Sequence, residues 1–183
     1  MIKHSVHLFN SLKSEARIQD YLALCKLKVV AVMLITALVG MLLASEAIPS
    51  ISVMSIALIG IALVTSSGAA INHVMDQKID KAMQRTKWRP LPQGKVSSSQ
   101  ALLFAMVIGV TGLYLLTVFI NPLTAFLSLI SLIGYAFVYT VWLKRATPQN
   151  IVVGGLAGAA PPLLGWTSIS GVISADKIGR AHV

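Results

Sequence analysis

The chain has 183 residues, 56% of them hydrophobic and only 11% charged, with a formal net charge of +9. Soluble domains carry about a quarter charged residues, so an ordinary soluble globule is excluded. The basic residues border long apolar runs instead of covering a polar surface, which excludes nucleic acid as a partner and points to the lipid bilayer.

Residues 1–28 are polar and mixed, too long for the charged start of a secretory signal. Leu8, Phe9, Leu12, Ala16 and Tyr21 form a partial apolar stripe there, which fits a helix on the membrane surface or a solvated tail. The single cysteine, Cys25, excludes an intrachain disulfide and a cysteine-built zinc site. Apolar runs approaching or reaching the roughly 20 residues of a membrane span then follow at 29–44, 51–71, 101–120, 123–143 and 151–169. They are too continuous for surface helices and lack the alternation of barrel strands. The expected fold is all-α, a polytopic transmembrane helical bundle. In the fifth run Gly154 and Gly158, with Gly155 and Ala159 beside them, have small-residue spacing for close helix packing. Pro161 and Pro162 are expected to break or kink that run.

Lysine and arginine set the orientation. Lys3, Lys13, Arg17, Lys26 and Lys28 precede the first run, and Lys78, Lys81, Arg85, Lys87, Arg89 and Lys95 follow the second. Lys144 and Arg145 follow the fourth, so 13 of 15 basic residues fall on one side. That side, with the N-terminus and the 72–96 loop, is expected to be cytoplasmic.

The 72–96 loop carries acid first and base after. Asn72, Asp76 and Asp80 recur every four residues and would line one face of a helix continuing from the second run. Carboxylates one turn apart repel unless a cation lies between them, and magnesium suits such oxygen donors completed by substrate phosphate. Arg85 and Arg89 repeat the same step before Pro90 is expected to stop the helix. Guanidinium groups match phosphate oxygens in pairs. A metal-bridged polyphosphate fits this order; so does a loop made basic by topology, with the aspartates as counter-ions. His73 is expected to face another side of the helix as a packing residue. Tyr139, Thr140, Lys144 and Arg145 form a second polar cluster, which topology also explains.

Asn72-xxx-Asp76-xxx-Asp80 followed by Arg85-Thr86-x-x-Arg89-Pro90 resembles the first aspartate-rich motif of the UbiA superfamily of intramembrane prenyltransferases. The string YTVWLKRATPQNIVVGGLAGAAPPLLGW, at 139–166, is more specific. It resembles the branch that transfers a farnesyl group from farnesyl diphosphate to a vinyl group of haem b, giving haem O. The resemblance covers about residues 21–166. It implies a bundle of nine transmembrane helices in the bacterial inner membrane, about five of them present here. It also implies Mg²⁺ and diphosphate on Asn72, Asp76 and Asp80, with Arg85 and Arg89 neutralising the leaving diphosphate. Lys81, Lys144 and Arg145 are further implied contacts for diphosphate or haem propionate.

Two departures stand out. Leu27 follows Lys26 where the family usually has proline, and a second aspartate-bearing loop between later helices is absent from the chain. The terminal DKIGRAHV, residues 176–183, does not resemble the family. The expectation is a cytoplasmic segment at 1–28, the N-terminal part of a longer prenyltransferase domain at 29–170, and a non-native tail at 171–183. Competing readings are a prenyltransferase with an aromatic acceptor and a non-catalytic transporter fragment.

Overall fold

The computed structural model describes residues 16–136 and 150–173, with side chains in the last helix from residue 159 onward. Helix follows helix: α1 (Ile18–Leu24), α2 (Leu27–Leu43), α3 (Ile51–Met75), α4 (Gln77–Ala82), α5 (Ser98–Phe119), α6 (Pro122–Ile133) and α7 (Asn150–Ser170). No strand occurs among the described residues. Helices α3 and α5 are long and apolar enough to cross a membrane, and α1 with α2 forms a further candidate span bent by 53°. The 21 residues of α7 reach about 30 Å, the thickness of a hydrocarbon core. All five apolar runs are therefore helical, the fourth as far as it is described. The protein is an all-α, multi-pass membrane bundle.

Helices in lipid gain little by hiding apolar surface from one another, so close contact between backbones must hold them together. Helix α3 packs most extensively on α5, and α2 on α7. A methyl group on Gly112 of α5 would lie 2.8 Å from the Gly60 carbonyl oxygen and 2.9 Å from Leu63 Cβ of α3. One turn earlier, Gly109 leaves room for Ser67, whose hydroxyl donates to the Ala105 carbonyl at 2.8 Å. In the other pair Gly40 of α2 meets the Pro162 carbonyl, and Gly165 of α7 meets the Ala37 carbonyl. Ala37, Met41, Ala57, Ile61, Val64, Leu116, Ala125 and Leu164 fill the centre.

Pro161 and Pro162 do not break α7, which runs through both. Proline removes an amide donor and presses its ring toward the carbonyl four residues back. At the start of α6, Asn121 caps the helix by accepting from the Thr124 amide at 2.8 Å, with Pro122 in the first turn. The same side chain donates to the Thr167 carbonyl at 3.0 Å, and Thr124 bonds Thr167 at 3.1 Å, tying α6 to α7.

A second small core supports the polar end of the bundle. Leu24, Ala70, Leu91, Val96, Ala101 and Ala105 gather residues from α1, α3, the 83–97 segment and α5. Tyr21 and Phe104 pack against it with ring centroids 5.1 Å apart.

Replacing glycine in a helix normally adds stability, but the space at Gly112 reverses that sign. Gly112→Val is expected to destabilise the bundle by about 1–3 kcal/mol through overpacking. Unfolding in detergent, followed by circular dichroism, checks this.

Candidate functional site

Asn72, Asp76 and Asp80 sit on a helix that is interrupted yet keeps its rise. Asp76 ends α3 and begins α4, with its amide bonded to the Asn72 carbonyl at 3.0 Å. The Asp80 amide then bonds the Asp76 carbonyl at 2.8 Å. The four-residue row foreseen in the sequence is thus retained. All three side chains are buried, at 4%, 5% and 4% exposure.

The basic half departs from expectation. The helix ends at Ala82, well before Pro90, because Met83 turns to extended backbone (φ −90°, ψ 130°). Residues 83–96 form successive turns closed by local bonds such as Lys87 amide to Met83 carbonyl and Lys95 amide to Pro90 carbonyl, both 3.0 Å. Gly94 takes a left-handed φ of 72° in the last of these turns. Thr86 is buried and donates its hydroxyl to the Asp80 carbonyl at 3.0 Å, satisfying an acceptor that the ended helix leaves open. Gln77 accepts from the Ser98 hydroxyl at 2.8 Å, joining the start of α4 to the start of α5. The chain consequently folds back, and Arg89 pairs with Asp80 at 2.6 Å.

Beside the row lies a pocket lined by Lys26, His73, Arg85, Trp88, Arg89 and neighbouring apolar residues. Lys26 and Val29 also line a second, largely apolar cavity between α2, α3, α6 and α7, reaching Ile61, Ser128, Tyr135 and Leu164. A cationic pocket and an apolar cavity therefore share one wall.

Arg89 joins the acidic row through Asp80, and with Arg85 it lines the cationic pocket, whereas Asn72, Asp76 and Asp80 themselves line neither cavity. Lys81 is exposed and lines neither. Tyr139, Thr140, Lys144 and Arg145 lie outside the described residues. His73, expected as a packing residue on another side of the helix from Asn72, is buried and lines the cationic pocket that the acidic row does not line, and neither ring nitrogen has a hydrogen-bond partner among the described residues. Lys26, counted in the sequence only for topology, donates to the Asn72 side-chain oxygen at 2.9 Å. No local pattern marks that contact, which joins residues 46 apart. Thr86 is part of the quoted motif, but its role as a helix stop is visible only in the fold.

The donor set fits a divalent cation of the magnesium type. Magnesium takes one or two carboxylates and completes its shell with water and phosphate oxygens, and the row offers two buried carboxylates with an amide oxygen beside them. No cluster of three histidine, cysteine, aspartate or glutamate side chains that could cage a metal occurs among the described residues.

This is a helical membrane bundle with a buried acidic row paired to one wall of a cationic pocket, which shares Lys26 and Val29 with an apolar cavity. The model of the UbiA prenyltransferase family matches residues 33–178, and the chain belongs to that family. A protoheme IX farnesyltransferase of Hahella chejuensis is 59% identical over 155 residues, covering 85% of this chain and 52% of that protein. Those of Saccharophagus degradans (54% over 155 residues; 85% and 51% covered) and Stutzerimonas stutzeri (56% over 165 residues; 90% and 55% covered) are similar. The chain spans about half the length of the curated relatives it matches. A solved digeranylgeranylglyceryl phosphate synthase structure shares the fold, with a TM-score of 0.74 at 24% identity over 82% of this chain and 53% of that one.

Removing Arg89 would leave the Asp80 carboxylate buried without its ion pair. Because the arginine side chain is itself 31% exposed, the loss is smaller than for a fully enclosed pair. Arg89→Ala is expected to cost about 1–3 kcal/mol, and Arg89→Ala with Asp80→Asn to recover part of it. Chemical denaturation of the three forms measures both.

Proposed function

We propose that the chain supplies the diphosphate-holding part of a protohaem IX farnesyltransferase. The reaction joins the farnesyl group of farnesyl diphosphate to a vinyl group of haem b, giving haem O. The buried Asn72–Asp76–Asp80 row beside a cationic pocket that meets an apolar cavity carries this reading. Relatives at 54–59% identity with that name support the choice of acceptor.

Prenyl transfer breaks the allylic carbon–oxygen bond, and its electron pair leaves with the diphosphate. Negative charge grows on the leaving oxygens while positive charge grows on the prenyl carbon, which the vinyl π electrons capture. Arg85 and Arg89, on the pocket wall, would hold the leaving oxygens where that charge develops. Asp76 and Asp80, with Asn72 beside them, would hold Mg²⁺, which supplies Lewis-acid neutralisation of the diphosphate. Arg89 would then exchange Asp80 for phosphate oxygens. The apolar cavity between α2, α3, α6 and α7 would take the prenyl chain and keep water from the cation. Lys144 and Arg145 are proposed as further contacts for anionic groups, and Lys81 as a contact from the rim.

The bacterial inner membrane is the proposed location, with the 72–96 loop cytoplasmic. Family membership and the relatives' names speak against the transporter reading, and substrate choice tests the aromatic one.

The chain completed with the remainder of the Hahella chejuensis relative, in membranes supplied with farnesyl diphosphate, is expected to convert haem b and leave 4-hydroxybenzoate unchanged. Prenylation of the aromatic acceptor alone refutes the haem assignment. Asp76→Ala is expected to abolish turnover, by 10³-fold or more (on the order of 4 kcal/mol), without preventing membrane insertion. Substantial turnover at verified expression removes the carboxylate from the mechanism. For topology, Lys87→Cys in a Cys25→Ala background is expected to escape a membrane-impermeant maleimide in intact cells, whereas Ala47→Cys in the same background reacts; the reverse pattern inverts the orientation.

A further inference from the structure

We infer that Lys26 is a catalytic residue that grips the anionic head of the prenyl diphosphate where head meets tail. The inference rests on the diphosphate reading above and adds a cation from outside the aspartate–arginine motif.

Three separate observations converge on this side chain. Lys26 is the one non-glycine residue with positive φ among the described residues, at φ 51° and ψ 50°. A left-handed lysine carries a steric cost that glycine would avoid, and such strain persists where the surroundings or function hold it. Secondly, the ammonium group reaches across to α3 and donates to Asn72 Oδ1 at 2.9 Å, at the membrane end of the acidic row. Thirdly, Lys26 lines both the cationic pocket with Arg85 and Arg89 and the apolar cavity with Met33, Ile61 and Leu164.

That shared position has a chemical meaning. An amphiphile with a charged head in the first pocket and a chain in the second must pass the wall made by Lys26 and Val29. Its phosphate nearest the chain, which bears the oxygen of the breaking bond, would lie against the lysine. The apolar stem of Lys26 suits the cavity side and the ammonium suits the phosphate side. The bend of 53° between α1 and α2 occurs at this residue, so the strained backbone also aims the side chain inward.

Binding of farnesyl S-thiolodiphosphate, an analogue resistant to ionisation, tests the inference with magnesium present. The chain in detergent and its form completed as above would be titrated by calorimetry. Lys26→Met, which keeps the stem, is expected to weaken binding about tenfold or more, and Lys26→Arg to restore part of the loss. The weakening is expected to persist in an Asn72→Ala background. Lys26→Gly is expected to bind as poorly as Lys26→Met while melting no lower than the parent.

Lys26→Met binding within about twofold of the parent overturns the inference while the diphosphate reading stands. Loss of the Lys26→Met effect in an Asn72→Ala background that itself still binds the analogue also overturns it, leaving the lysine to orient the amide. Absence of saturable binding by both parent forms overturns the diphosphate reading and the inference with it.

Discussion

Two carboxylates buried at the end of a membrane helix dominate the polar end of this bundle. An isolated ionised group removed from water is too unfavourable to persist, so it must be paired, bonded or bound to a cation. Asp80 meets that demand through Arg89, and the demand shapes the intervening chain. The helix stops at Ala82, Thr86 closes its open carbonyl, and the turns of 83–96 return the guanidinium to the carboxylate. Leu91 and Val96 anchor those turns in the small core beneath α1 and α5. The pocket wall formed by Arg85, Trp88 and Arg89 follows from the same reversal.

The apolar cavity depends on a different constraint. In a bilayer the faces of α5 that carry Leu103, Met106, Val107 and Val110 can remain exposed without penalty, so hydrophobicity alone does not bring helices together. Gly60 with Gly112, and Gly40 with Gly165, let backbones approach closely in two pairs, α3 with α5 and α2 with α7. The Asn121, Thr124 and Thr167 contacts fasten α6 to α7. The space left between α2, α3, α6 and α7 is bounded by helices whose spacing small residues and hydrogen bonds set. A stable gap of this kind is what an elongated apolar ligand requires.

Much of this was readable along the chain. Apolar runs yielded the helices nearly to their ends, because helix length in a bilayer is governed by local composition. The acidic row was readable because a four-residue repeat brings side chains together within one helix, and two intact backbone bonds carry it across the break at Asp76. Arg85 and Arg89 line the cationic pocket, but the four-residue step placed them on a helix that does not exist. The same four-residue spacing occurs by chance in a loop, and nothing local to Met83 announces its extended backbone. The prolines of α7 do not break it, since α7 stays helical through them where Gly40 lets α2 close onto the Pro162 carbonyl.

Composition, periodicity and motif were sufficient for the membrane class, the five apolar helices as far as they are described, and the family, because each is carried by neighbours in sequence. The partner of Asp80, the burial of His73 and the reach of Lys26 to Asn72 were decided by the packed chain. Each of those depends on distant segments meeting: the 83–96 turns on the small core, and the α1–α2 bend against α3. Contacts between residues 46 apart leave no periodic trace, and a left-handed lysine has no spacing of its own. Local rules therefore place the charges on the chain, while burial at a shared wall selects which of them face one another.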